Sequence, residues 1–193
     1  GIAMVLNLLL LPASSLMPLL VFEHFEGEAA QLALVESTLG AGVFLGGLLL
    51  GVWGGFRRKM YTSLLGVVLL GLGGFMVGLA PAALFGLAVA GTFVMGFMSS
   101  MTNGPLLAVL QTTVAPDMQG RVFTLLNSGA TAMAPMGLAV AGPLADAIGV
   151  QAWFIGGGVA CVVMGVGALF VPAIMNIEQN RNGRVVEAAP SAG

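Results

Sequence analysis

Charge is scarce in this sequence: 7% of its 193 residues are Asp, Glu, Lys or Arg, against about 25% in an ordinary soluble domain. A surface facing water cannot be built from so few charges, which excludes a freestanding soluble fold. Cysteine occurs once, as Cys161 within an apolar stretch, so an internal disulfide and a cysteine-based metal site are excluded. Histidine also occurs once, as His24, and no metal or other cofactor is expected from a single imidazole beside Glu23 and Glu26. The basic residues form no polycationic run and the net charge is −2, so nucleic acid is not expected as a partner. There is no Ser/His/Asp set, no pair of carboxylates within one apolar stretch, no phosphate-cradling glycine loop and no HExxH. No catalytic residue is therefore assigned, and the chain does not read as an enzyme.

What fills the sequence instead is apolar: 58% of residues are hydrophobic. Stretches long enough for the ~20 residues of a bilayer crossing follow one another with short polar breaks. They run from Ile2 to Phe22, Gln31 to Gly54, Tyr61 to Ala80, Ala83 to Val114, Val122 to Ala145 and Ala152 to Ile174. The fold class is all-α, a polytopic membrane protein of six transmembrane helices. Residues 1–175 form the bundle and 176–193 a polar, disordered cytoplasmic tail. The first stretch has no basic segment ahead of it and is followed by further spans, so it is not a cleaved signal. Gly1 stands where an initiator methionine would, and the chain reads as one truncated at its front.

Basic residues mark the cytoplasmic side of short loops. With a cytoplasmic N-terminus, the second, fourth and sixth breaks are cytoplasmic. They hold Arg57, Arg58 and Lys59, then Arg121, then Arg181 and Arg184, which are all the Lys and Arg of the chain. Glu23, Glu26, Glu28 and Asp146 fall on the other side. Both ends of the segment are thus expected inside a plasma (inner) membrane.

Pro12 and Pro18 interrupt the first span, Pro105 the fourth, and Pro135 and Pro143 the fifth. A proline within a helix frees a carbonyl, which lipid tolerates only where protein or an aqueous cavity satisfies it. The fourth span is expected to kink at Pro105 and project into the cytoplasm. Glycines four apart, at Gly42/Gly46, Gly47/Gly51, Gly51/Gly55 and Gly74/Gly78, read as close-packing faces.

Polar residues concentrate in three spans. Asn7, Ser14 and Ser15 lie in the first, Thr92, Ser99, Ser100, Thr102 and Asn103 in the fourth, and Asn127, Ser128 and Thr131 in the fifth. Spans one, four and five are therefore expected to line a pathway for a small molecule, with Asn7, Ser14, Ser15, Ser99, Ser100, Asn103, Asn127 and Thr131 along it. Spans three and six, nearly free of polar groups, are expected to face lipid and scaffold the rest. Glu36 is the one acid placed to sit within a span, either as a proton-coupling site or as a hydrated residue near the outer boundary. Arg121, after Gly120, has two readings: a headgroup anchor, or a fork holding the carbonyl end of the fourth helix.

Transporter halves are often built of inverted three-helix repeats. Pro18-Leu19-Leu20 in the first span is matched by Pro105-Leu106-Leu107 in the fourth, and the second and fifth spans both end in a glycine-led turn. At these turns the sequence resembles the major facilitator superfamily, whose signature loop reads roughly GxxxDxxGRRK. Gly51 and Arg57-Arg58-Lys59 match it, while Gly55 stands where the family's acid usually stands. The stretch from Gln111 through Pro116 and Gly120-Arg121 to Phe123, then Pro135-Met136-Gly137 and Gly142 to Asp146, is similar to helices 10 and 11 of the macrolide-efflux and siderophore-exporter-like branch. The resemblance implies helices 7 to 12 of a twelve-helix transporter. The partners it implies are an N-terminal six-helix half, the lipid bilayer, a small-molecule substrate and protons. The activity it implies is proton-coupled efflux of an amphipathic, drug-like molecule by alternating access, that is, an antiporter of the multidrug-resistance kind. An importer of a small nutrient on the same fold, or a six-helix scaffold or channel, are the alternatives.

Overall fold

The computed structural model describes residues 13, 15–55, 59–114 and 116–169. Asn7, Ser14, Arg57, Arg58 and the tail expected at 176–193 lie outside the described residues. Those described are helical, with no strand among them. Residues 15–19 are α-helical and run into a π-helical turn, Leu20–His24, together α1. The long helices follow as α2 (Ala29–Trp53), α3 (Lys59–Leu79), α4 (Phe85–Thr113), α5 (Pro116–Ile148) and α6 (Val150–Leu169), with a 3₁₀ turn at Ala82–Leu84 leading into α4. Four apolar helical segments are long enough to cross a bilayer: Ala29–Trp53, Tyr61–Leu79, Ala82–Pro105 and Val150–Ala168. The chain is that of an integral membrane protein.

Local chemistry sets the helix ends. α2 opens on a capping box, in which Glu28 accepts from the Gln31 backbone N–H and the Gln31 side chain accepts from that of Glu28. It closes on Gly54, left-handed at φ 75°, whose N–H reaches the Leu50 carbonyl at 2.8 Å. α5 closes in the same way, with Gly149 at φ 89° donating to Ala145 O at 2.9 Å.

Two expectations are corrected here. The break expected from Ala115 to Arg121 is helical from Pro116 onward, because proline at a first helical position gives up only an N–H that would be unpaired anyway. The connection expected from Asp146 to Gln151 shrinks to Gly149, which places Asp146 in the last turn of α5. α4 continues as one helix of 29 residues through Pro105.

Packing follows the glycines. α4 lies against α2 and α3, and α3 lies between α4 and α6. A methyl group built on Gly42 or Gly46 would strike the backbone of Phe93 or Phe97, and one on Gly96 the carbonyl of Leu39, so α2 and α4 meet backbone to backbone and run parallel. Gly66 meets Thr102 while Gly73 meets Gly91, so α3 and α4 run antiparallel. Between α3 and α6 the contact is reciprocal. A Cβ on Gly71 would lie 2.7 Å from Gly158 O, and one on Gly158 would lie 2.7 Å from Gly71 O. Gly78 presses on Ile155 and Gln151, and Gly165 on Val68 and Leu64, so this pair is antiparallel as well. A shift of 87 residues carries Gly71 onto Gly158, Gly78 onto Gly165, the start of α2 onto that of α5, and Pro18-Leu19-Leu20 onto Pro105-Leu106-Leu107.

The poverty of polar groups in α3 therefore marks enclosure rather than the expected lipid exposure: 61% of its span is buried, against 17% for α2. Of the expected glycine faces, Gly42/Gly46 packs tightly and Gly78 presses on α6, where Gly74 sits more loosely. Gly51 has nothing within 4 Å. At the C-terminal end of α1, Leu20 and Val21 are fully enclosed by Val35, Val77, Ala141, Ala145, Val150, Trp153 and Phe154, which brings α1, α2, α3, α5 and α6 together.

Replacing Gly158 by valine forces α3 and α6 apart at their crossing. It is expected to lower the unfolding temperature in detergent by the equivalent of ~1–3 kcal/mol of overpacking. Gly156→Val, on the open side of the same helix, is the control. Superimposable melting curves for the two variants would show that the crossing does not hold the bundle.

Candidate functional site

Exposed polar groups occur along α4 and α5. α5 leans on α6 and reaches the central cluster through Ala141 and Ala145. Its preceding turns, with Asn127, Ser128, Thr131 and Pro135, are exposed. On α4, Ser99 and Asn103 fall on one face a helical turn apart, Asn103 exposed and Ser99 half-buried, and Gln111 is exposed further along the helix. The Asn103 amide donates to Ser99 O at 3.0 Å and approaches Ser99 Oγ at 3.4 Å. With its N–H spent on its own helix, Asn103 offers Oδ1 as an acceptor. Ser15 is exposed on α1.

Neighbouring hydroxyls have other uses. Ser100, one residue from Ser99 and so about 100° around the helix, donates to Val43 O on α2 at 2.7 Å and belongs to the α2–α4 contact. Thr92 and Thr102 bond back to Ala88 O and Met98 O, each at 2.8 Å. Pro105 removes the N–H that the Met101 carbonyl would accept. Beside that gap, buried Ser63 of α3 donates to Thr102 O at 3.0 Å. Sequence reading passed over Ser63, since a single hydroxyl in an apolar span carries no pattern.

Two glycines in succession, Gly54 and Gly55 at φ 75° and 76°, turn the chain out of α2. A Cβ on Gly55 would also stand 3.0 Å from Thr62 Oγ1. An acid in the family's position would thus meet a left-handed backbone that disfavours it. Gly51 is exposed, and Lys59 opens α3. Where α4 meets α5, the carbonyl end is held by Gln119, whose Nε2 donates to Gln111 O at 2.8 Å and Val114 O at 3.2 Å. Arg121, one of whose readings was this task, is exposed on the first turns of α5, as is Gly120, whose carbonyl accepts from Thr124 Oγ1 at 2.8 Å. Gly142 is half-buried on α5. Glu36, eighth residue of α2, is exposed, and among the described residues it is the one carboxylate inside a long helix away from its first and last turns. No group of three His, Cys, Asp or Glu able to hold a metal occurs among the described residues.

Ser63→Ala removes the α3 donor from the Thr102 carbonyl and is expected to cost ~1 kcal/mol of stability, read as a lowered unfolding temperature. Gly55→Asp restores the family's acid but places a side chain in a left-handed backbone at ~1–2 kcal/mol. It is expected to destabilise the protein without improving transport; a gain in transport at unchanged stability would overturn the conformational explanation of the missing acid.

Macrolide efflux protein A of Streptococcus pyogenes is 28% identical to this chain over 169 residues, which is 88% of the chain and 41% of that protein. Multidrug efflux pump Tap of Mycolicibacterium fortuitum is 32% identical over 154 residues, 78% of the chain and 36% of the pump. The chain therefore spans about two fifths of the length of the relatives it matches. No solved structure matches. The sequence pattern of the Major Facilitator Superfamily extends over residues 2–189, almost end to end, and the chain belongs to that family.

Proposed function

We propose that the chain is the C-terminal half of a twelve-helix secondary transporter that exports a small amphipathic molecule in exchange for protons by alternating access. The observation that carries this reading is the alignment, in which nearly the whole chain covers about two fifths of proteins named as efflux pumps. Six crossings with both ends cytoplasmic follow from the one-sided basic residues. The parallel α2–α4 and antiparallel α3–α4 and α3–α6 contacts fit that alternation. The 87-residue shift and the reciprocal Gly71–Gly158 crossing support two inverted three-helix repeats, α1–α3 and α4–α6.

In this reading the N-terminal half covers the exposed faces of α2 and α5. α2 offers Phe44, Leu48 and Val52, with open Gly51 beside them, and α5 offers Leu125 and Val140. The substrate passes the polar face of α4 at Ser99 and Asn103 and that of α5 at Asn127, Ser128 and Thr131. Hydroxyls and amides suit an amphipathic molecule, because they supply hydrogen bonds without the desolvation cost of a fixed charge. Glu36 is the coupling carboxylate of this half. One proton entering down 100 mV supplies ~2.3 kcal/mol, enough for a concentration ratio of about fifty.

The test is dye efflux from cells expressing the full-length transporter. Wild-type efflux is expected to collapse with an uncoupler. Glu36→Gln is expected to abolish the dependence on the proton gradient, and Asn127→Ala to raise the dye concentration needed for half-maximal efflux several-fold. Uncoupler-sensitive efflux that ignores both substitutions would move coupling and recognition to the N-terminal half. A chain that accumulates the dye inward would replace export by import.

A further inference from the structure

The end of the bundle where α1, α3, α4 and α6 meet carries two unlike surfaces. Over residues 23–28 the chain leaves α1 with Glu23, Glu26 and Glu28 exposed. The neighbouring turn from α3 to α4 has nothing of the kind. Residues 64–91 include no polar or charged side chain, and the turn lies within that run. Pro81, Ala82 and Ala83 are exposed, and Leu79 and Leu84 on either side of them are 61% and 58% exposed. Charge stands at or beside the other joins: Arg57, Arg58 and Lys59 between α2 and α3, Asp117 and Arg121 after α4, and Asp146 shortly before Gly149. A contiguous apolar surface rimmed by polar residues marks a contact with membrane or protein.

The backbone of the turn is arranged for surroundings poor in water. A peptide carbonyl away from water has to find a donor. Val77 O accepts from Ala80 N–H at 3.4 Å and Pro81 O from Leu84 N–H at 2.8 Å, while Pro81 has no N–H to satisfy. The Ala80 carbonyl lies past the end of α3, and polar side chains are brought to it from two other helices. His24 Nε2 lies 3.0 Å from it and Gln151 Nε2, in the first turn of α6, 3.5 Å. These two groups are 2.8 Å apart, so the pair supplies a donor in either tautomer of the ring. With the ring proton on Nε2 the imidazole donates to Ala80 O, and with it on Nδ1 the Gln151 amide donates both to Nε2 and to Ala80 O.

The depth of the turn follows from lengths. α3 opens on Lys59 and has 21 residues, about 31 Å at the helical rise and close to the ~30 Å of the hydrocarbon core. A charge at one boundary thus puts the turn at the other. It can lie no deeper, because the N–H groups that open a helix lack intrahelical partners and hydrocarbon has none to give. Phe25 stacks edge to face on Phe85 at 5.3 Å, which holds the carboxylate-bearing segment beside the turn at the same level. Since α3 packs between α4 and α6, the turn is also set apart from the open faces of α2 and α5.

We propose that the turn at residues 80–84 is a lipid-facing wedge, seated among acyl chains at their boundary with the headgroups, and that His24 and Gln151 give its Ala80 carbonyl the hydrogen bond that water would give a loop in solution. Lipid then holds this end of the bundle on the α3–α4 side, and water meets it on the α1–α2 side. The inference rests on the chain being an integral membrane protein and not on the direction or coupling of transport.

The test is a nitroxide attached at Ala83→Cys in the full-length protein carrying Cys161→Ala, reconstituted in phosphatidylcholine vesicles, with Glu28→Cys as the water-facing reference. Collisions with oxygen, which concentrates in acyl chains, are compared with collisions with a water-soluble nickel chelate. The ratio of oxygen to nickel collisions is expected to be several-fold higher at Ala83 than at Glu28. Equal ratios would overturn the wedge, because water would then reach the turn. Few collisions with either reagent at Ala83 would overturn it as well, since protein would then cover the turn. In the double variant His24→Leu/Gln151→Leu both donors are gone, and nickel collisions at Ala83 are expected to rise several-fold as water enters to reach the Ala80 carbonyl. Unchanged nickel collisions there would overturn the part given to the two side chains. If that variant fails to accumulate, the comparison of Ala83 with Glu28 still decides the wedge. An oxygen-rich signal at Ala83 in a protein that exports no dye would uphold the wedge and remove the export reading, and the two fail separately.

Discussion

The bundle depends on backbones that touch. In a bilayer an apolar side chain gains little by leaving lipid for another helix, so association rests on close van der Waals contact and interhelical hydrogen bonds. Both appear where a side chain is missing: Gly42 and Gly46 against Phe93 and Phe97, Gly73 against Gly91, and Gly71 against Gly158. Once those backbones meet, serine hydroxyls reach the neighbouring carbonyls, Ser100 to Val43 and Ser63 to Thr102. The exposed polar groups of α4 and α5 lie away from these seams, on surfaces that the glycine contacts leave open.

Much of this was legible because lipid restricts the options. With backbone groups obliged to bond internally, long apolar runs can only be helices, and the expected span of Tyr61 to Ala80 matches α3 within two residues. Boundaries failed where one residue had two uses. Pro116 read as a loop residue yet starts a helix, and Asp146 read as a loop charge yet sits in a last turn. Glycine spacing identified the Gly42/Gly46 face but not Gly71, Gly73, Gly91 or Gly158, because a contact between distant helices leaves no local pattern. The enclosure of α3 was missed for the same reason, since an apolar span reads alike whether lipid or protein surrounds it.

The polar residues of the pathway were visible as a set but not individually. Ser99 and Ser100 are adjacent in sequence, yet one accompanies Asn103 on the open face and the other bonds to α2, a division made by the turn of the helix. Arg121 was one candidate for capping α4 because of its charge, but Gln119 lies on the side of α5 that faces those carbonyls and fills the position without burying a cation. Gly55 shows the limit of motif reading: a departure from a family pattern looks like a lost function until the backbone angle explains it.

The join between α5 and α6 is a single residue, Gly149, between Ile148 and Val150. Such a link has no apex and no side chain, so it presents almost nothing for an antibody or nanobody to grasp. At that end of the molecule a binder is left with the exposed turn from Pro81 to Leu84, where it competes with lipid, or with the segment from Phe25 to Glu28, where the chain is irregular and its carboxylates stand exposed. That segment is also continuous with the end of α1, so a reagent chosen merely to decorate the protein there would hold the helix as well.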